Sequence, residues 1–302
     1  MKKFEGGIKR KVFFTSERQQ KINLFITIIV FLGAHDGLSQ PRVISEGSYP
    51  VFSESSKLIA FEKDRYIYVE DLNGKKIRQV SSLGWDFRPS WSPDGQKIVF
   101  QSYGHHPVPG NDTFSIWVAK SNGTNQHQFI PPVGEGDQNP LWSPKANKIV
   151  WTHGQRLWIA DSDGTSAHPL TPEPARAWEY IGDWSPDGKT IVYLHTDGGS
   201  SYEIWLINSD GSCERIFRKG IQAVAIKWSR DGQFLFYSDG MRVFRISCSN
   251  IGDPQLMYVF GFDYDIMHFD LSSDEKFIIY DNTGPEIDDE KIIIDQFPKI
   301  MK

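Results

Sequence analysis

The sequence predicts an all-β fold: a six-bladed β-propeller of four-stranded antiparallel blades, closed by an N-terminal strand in the last blade. Three observations carry this reading. A hairpin anchored on an aromatic residue recurs along the chain. A short apolar strand follows each copy, usually with an Asn-Gly or Asp-Gly turn behind it. The last copy runs out before its fourth strand, while a spare strand-like segment precedes the first copy.

The recurring hairpin is clearest at Trp91-Ser-Pro-Asp-Gly-Gln-Lys-Ile-Val-Phe100. Proline presets φ for the first turn position, aspartate bonds its own backbone, and glycine takes the φ > 0 position at little cost. The string returns from Trp142 to Trp151, from Trp184 to Tyr193 and from Trp228 to Tyr237, with weaker copies at Phe52–Phe61 and Leu271–Tyr280. The anchors Phe52, Trp91, Trp142, Trp184, Trp228 and Leu271 lie 39, 51, 42, 44 and 43 residues apart, which is the length of a propeller blade. An aromatic at a fixed place in every repeat packs between blades, so the four tryptophan anchors are expected in the core rather than on a ligand.

The next strand in each unit is Tyr66–Val69, Ser115–Val118, Arg156–Ile159, Glu203–Leu206, Arg242–Arg245 and Lys291–Ile294. Asn73-Gly74, Asn122-Gly123, Asp163-Gly164 and Asp210-Gly211 then mark hairpin turns. One more strand ends each unit, such as Ile77–Val80 or Glu214–Phe217. Residues 42–46 resemble that fourth strand and are expected to complete blade six, which removes an exposed sheet edge.

These copies resemble the TolB-type β-propeller repeat, a relative of WD40 whose signature is the W-S-P-D-G hairpin. The resemblance covers about residues 42–297 and speaks to fold more than to function. Proteins of that family carry an α/β domain before the propeller; this chain is expected to match the propeller alone. The resemblance implies a non-catalytic envelope or periplasmic protein that holds a protein partner.

The segment before the repeats divides in two. Residues 1–21 carry seven basic residues, and residues 22–34 form an apolar run, INLFITIIVFLGA. Thirteen residues are short for a bilayer, and the order basic, apolar, small fits a signal peptide ending near Ser39. The alternative is an uncleaved anchor through 22–34, which would be the protein's one membrane contact. Residues 40–302 are then the propeller. The whole chain has a net charge of −5 although its first 39 residues are basic. The propeller is thus acidic, which argues against a nucleic-acid partner. A monomer is expected.

In a four-stranded meander the A–B and C–D turns share one face, and the B–C and D–A connections share the other. The tight turns occupy the first face. On the second, the B–C loops are long only in blades two, four and six. Variable loops on a rigid scaffold are where binding concentrates. The candidate residues therefore lie there: His105 and His106 in blade two and His195 in blade four, with Trp85, Asp86, Arg88, Asp137, Asn139, Trp178, Glu179, Tyr180, Asp263, Tyr264, Asp265 and His268 on the D–A connections. Exposed aromatics, arginine and carboxylates together suit a protein surface or a glycan.

Specific chemistry finds less support. His105, His106, His195 and His268 could serve a metal-dependent lyase or hydrolase acting on glycans, the alternative reading. They sit on separate loops without ligand-type spacing, and no metal or other cofactor is expected. Asp161-Ser-Asp163-Gly164 reads as a hairpin turn rather than a calcium loop. There is no G-x-S-x-G elbow, P-loop or dinucleotide fingerprint, and no catalytic residue is assigned. Cys213 and Cys248 fall in neighbouring blades at the outer radius and are not expected to bridge.

Overall fold

In a computed structural model, the residues described are 41–297, apart from 56, 74, 76, 105–112, 132–135, 146, 173–177, 200, 250–251, 261–265 and 283–290. They form six four-stranded antiparallel sheets. Blade one holds β2 (Ser48–Phe52), β3 (Leu58–Lys63), β4 (Tyr66–Asp71) and β5 (Arg78–Gln79). Blade two holds β6 (Asp86–Trp91), β7 (Lys97–Tyr103), β8 (Phe114–Lys120) and β9 (His127–Gln128). Blade three holds β10 (Asp137–Trp142), β11 (Lys148–His153), β12 (Arg156–Asp161) and β13 (His168–Pro169). Blade four holds β14 (Trp178–Trp184), β15 (Thr190–Thr196), β16 (Tyr202–Asn208) and β17 (Arg215–Ile221). Blade five holds β18 (Ala225–Trp228), β19 (Phe234–Ser238), β20 (Arg242–Ser247) and β21 (Gln255–Val259). Blade six holds β22 (Phe269–Leu271), β23 (Phe277–Asn282) and β24 (Lys291–Gln296), and β1 (Arg42–Glu46) pairs with β24 as its outer strand. The strand closure expected from the sequence is thus present, and the β-propeller is six-bladed.

The anchors end the first strand of every blade. Trp91, Trp142 and Trp184 are buried in clusters that each join two neighbouring blades, and Trp228 is half-buried in a fourth. Two of the indoles also stitch the blades together: Trp91 Nε1 donates to Val51 O at 3.3 Å and Trp184 Nε1 to Leu141 O at 3.2 Å. Each acceptor is the residue just before the anchor of the preceding blade.

The A–B turns hold by the chemistry their residues dictate. In blade two, Ser92 Oγ donates to Asp94 at 2.6 Å and accepts from Lys97 N at 2.9 Å, while Asp94 accepts from Gln96 N and Gly95 sits at φ +68°. Blades four and five repeat this with Ser185, Asp187 and Gly188, and with Ser229, Asp231 and Gly232. In blade six Glu275 stands at the glycine position with φ +52°.

The outer strands differ from expectation in length. Those of blades one to three keep only two residues, whereas β17 begins at Arg215 and extends to Ile221. Cys213 precedes it in a left-handed conformation and is exposed; Cys248 is half-buried, and both thiols are free. The alternation of B–C connections is present. β3 and β4 are joined through Asp64 and Arg65, while blades two, four and six need longer loops. Asp163 accepts from Thr165 N and Oγ1 in a tight C–D turn, as read.

Candidate functional site

The first strands line the central channel, and a shared irregularity shapes its mouth. Three residues before the anchor, Tyr49, Arg88 and Asn139 adopt φ of 54°, 52° and 54°. Pro50, Pro89 and Pro140 follow them. Proline cannot donate to the ladder, and the register of each strand shifts at this point. A bulge re-aims the side chain it carries. Here it sends Tyr49, Arg88 and Asn139 to the channel mouth on the D–A/B–C face. Neighbouring blades cap the displaced amides: Tyr49 N donates to Asp281 at 3.1 Å and Asn139 N to Gln101 at 2.7 Å. Left-handed φ at non-glycine residues costs on the order of 1 kcal/mol or more each, and such residues cluster at binding sites.

The mouth opens into a cavity of about 280 Å³ walled by Tyr49, Arg88, Asn139, Tyr180, Tyr202, Val224, Met267 and His268, among others. It is aromatic and apolar on most sides. Tyr180 and Tyr202 meet edge to face at 6.3 Å; Arg88 lies 4.8 Å over the Tyr49 ring; His268 packs against that ring at 4.2 Å. Tyr180, Val224 and Met267 are 42%, 39% and 43% exposed. No aspartate or glutamate is among the described residues that line it.

His268 is held rather than free. Its Nδ1 bonds Asp281 at 2.8 Å, and Asp281 also accepts the backbone N–H groups of His268 and Tyr49. Burial pushes the imidazole below its ordinary pKa despite the carboxylate, so it is neutral near pH 7. Burial opposes ionisation of Asp281, but its hydrogen bonds and His268 outweigh that and hold its pKa low.

The predicted carboxylates do not face the mouth. Asp86, Asp137 and Glu179 are 0%, 1% and 7% exposed. Asp86 accepts from Gly84 N at 3.2 Å; Asp137 accepts Trp151 Nε1 at 2.8 Å and pairs with His153 at 2.9 Å; Glu179 accepts Leu157 N and Thr171 Oγ1. Each opens or nearly opens a first strand, where it satisfies buried donors beneath the connection. Burial raises Glu179 to about 7, against the lowering effect of those bonds. Trp85 is 48% exposed outside the cavity and stacks on Arg65 at 3.9 Å. His195 is half-buried against Trp205 at 5.3 Å and does not line the cavity. Trp178 begins β14 opposite Thr196. His105, His106, Asp263, Tyr264 and Asp265 lie outside the described residues. Of the predicted set, then, Arg88, Asn139, Tyr180 and His268 come together.

Two features escaped sequence reasoning. Tyr49 is one, though the proline two residues before three of the anchors marks the bulge. The other is an ion cluster deep in the channel. Lys227 borders the mouth cavity and also a smaller one of about 90 Å³ toward the A–B turns. Its ammonium lies 3.6 Å from Asp270, which accepts Phe52 N, while Asp183 accepts Trp228 N at 3.0 Å. Burial pulls Lys227 down, yet Asp270 and Asp183 hold its pKa above the ordinary lysine value. The residues before the anchors carry this cluster, and nothing in the repeat marks them as charged together.

No family model matches the chain, and no curated protein matches it. Solved structures do. TolB from Acinetobacter baumannii is 15% identical with a TM-score of 0.55, over 96% of this chain and 71% of that one. A gluconolactonase from Xanthomonas campestris is 12% identical with a TM-score of 0.64, over 89% and 93%. An oligogalacturonate lyase in complex with manganese is 13% identical with a TM-score of 0.60, over 83% and 77%. Such identities speak to architecture alone: the chain has the TolB-like β-propeller fold.

Proposed function

We propose that this chain is a non-catalytic binding protein of the cell envelope that holds a protein partner at the channel mouth of the D–A/B–C face. The observation that carries this reading is the rim. Trp85, Tyr103, Tyr180, Val224 and Met267 are each more than a third exposed, on the face that also bears the cavity. Exposed apolar and aromatic side chains around a concavity mark interaction surfaces. The inward turn of Asp86, Asp137 and Glu179 supports binding over acid–base chemistry, since their oxygens serve backbone and core donors. The basic and then apolar segment 1–34 and the TolB-like fold support the envelope location.

A photo-crosslinking residue at Tyr180 tests the reading. One envelope protein, identified by mass spectrometry, should be captured there and not from the same residue at Lys276 on the opposite face. Equal capture at both positions counts against it.

The runner-up is a metal-dependent lyase or hydrolase acting on glycans, favoured by the fold shared with the manganese-bound lyase. The described residues fit it poorly. No three His, Cys, Asp or Glu side chains among them stand close enough to share an ion. His268 commits Nδ1 to Asp281, and His195 lies away from the cavity. A stoichiometric ion lost on His268→Ala or His195→Ala would favour the enzyme.

A further inference from the structure

The mouth differs in charge from the protein that bears it. The chain is acidic, with 38 Asp and Glu against 33 Lys and Arg. Yet the charged side chains among the described residues lining the cavity are cationic: Arg88 at the wall and Lys227 at the floor. Lys227 is balanced by Asp270 and Asp183. Arg88 is placed differently. Its guanidinium stacks on Tyr49, and among the described residues no carboxylate lies within ion-pair distance of it. Stacking leaves the donor edge of a guanidinium open, in the fork geometry that suits a carboxylate.

The backbone holds this arrangement at a cost. Arg88 sits at φ +52° between Phe87 and Pro89, in a bulge shared with Tyr49 and Asn139. A half-buried cation held in a strained conformation at the rim of a cavity is a preorganised anion seat. The Tyr180 and Tyr202 rings on the same cavity wall offer faces and hydroxyl groups.

We propose that the mouth recognises an acidic peptide segment, seating an Asp or Glu carboxylate on Arg88 and the flanking apolar or aromatic side chain against Tyr180 and Tyr202. This rests on the protein-binding reading above and names the chemistry of its partner. The choice of a peptide over a glycan follows from the rim. Val224 and Met267 are exposed aliphatic groups suited to apolar side chains, and they stand on the wall beyond Tyr180.

Three fluorescent probes test it against the purified full-length chain by anisotropy: a short peptide of Asp and Tyr in a Gly-Ser background, its Asn counterpart, and a uronic-acid oligosaccharide. The Asp peptide should bind about tenfold more tightly than the Asn peptide, a difference of about 1.4 kcal/mol. Arg88→Gln should erase that difference with an unchanged thermal midpoint, and added salt should weaken the Asp peptide more. Lys276→Gln should change nothing. Equal binding of the two peptides, both weakened by Tyr180→Ala, overturns the carboxylate seat and leaves the binding face standing. Binding of the oligosaccharide alone overturns both, and so does binding of no probe.

Discussion

Arg230 of blade five crosses blade six to form an ion pair with Glu54 of blade one. On the way its Nη2 donates to Leu271 O at 3.0 Å, and its own backbone N–H donates to Glu275. One side chain thus clamps the blades flanking the closure seam. It stands where blades two, three and four have the proline of the hairpin motif.

Removing that clamp should loosen the seam. Arg230→Ala is expected to lower stability by about 2 kcal/mol, since it also strands partly buried acceptors. Arg230→Pro restores the motif yet should cost more than alanine, because it also deletes the N–H bonded to Glu275. Urea unfolding of the three proteins checks the order. A proline variant as stable as wild type would refute it.

Glu179 makes the fold lose stability as the pH rises. Its pKa in the fold is about 7, above the ordinary carboxyl value of 4.5. A raised pKa contributes stability that is fully present below the unfolded value and is lost as pH rises through the folded one. Wild type should therefore lose on the order of 3 kcal/mol between pH 4.5 and 7 from this group. Glu179→Gln keeps an oxygen for Leu157 N and Thr171 Oγ1 and should remove that slope. Denaturation at pH 5 and pH 8 measures it.

Asp281 and His268 act at the acid end. The lowered carboxyl pKa gives stability present above the unfolded aspartate value and lost as pH falls through the folded one. The lowered imidazole pKa acts in the same direction: the unfolded state takes up a proton below about pH 6.5 that the fold resists. Asp281→Ala removes the acceptor of Tyr49 N, His268 N and His268 Nδ1 and should cost about 3–5 kcal/mol. Asp281→Asn should cost less and leave the Tyr49 bulge formed. An imidazole NMR titration with an unaltered His268 pKa in Asp281→Asn would contradict the pairing.

The indole bonds between blades can be separated from packing. Trp91→Phe keeps an aromatic ring but loses the bond to Val51 O, and should cost about 1–2 kcal/mol. Trp184→Ala also opens a cavity among Leu170, Tyr193 and Ile207, and should cost about 3–5 kcal/mol. Comparable losses from the two substitutions would show that the hydrogen bond, not burial, dominates.

The architecture was legible because its signals are local. Turn residues at fixed offsets, strands of alternating burial and a constant repeat length all lie within tens of residues of one another. Even the closing strand showed itself by likeness to its counterparts. The candidate site was legible only in part. The sequence put Arg88, Asn139, Tyr180 and His268 on one face, and the fold brings them to one cavity. The sequence also put Asp86, Asp137 and Glu179 on that face, and composition gave no sign that they turn inward to buried donors.

What the sequence determined by itself, then, is the blade: hairpin chemistry at Trp91, Trp184 and Trp228 closes a turn whatever surrounds it. What only the tertiary structure decided is the mouth. Tyr49 meets Arg88 and His268 because three blades converge on one axis, and Lys227 meets Asp183 and Asp270 for the same reason. Tyr49 and His268 stand more than two hundred residues apart in the chain. Their approach depends on ring closure, and no local propensity encodes it.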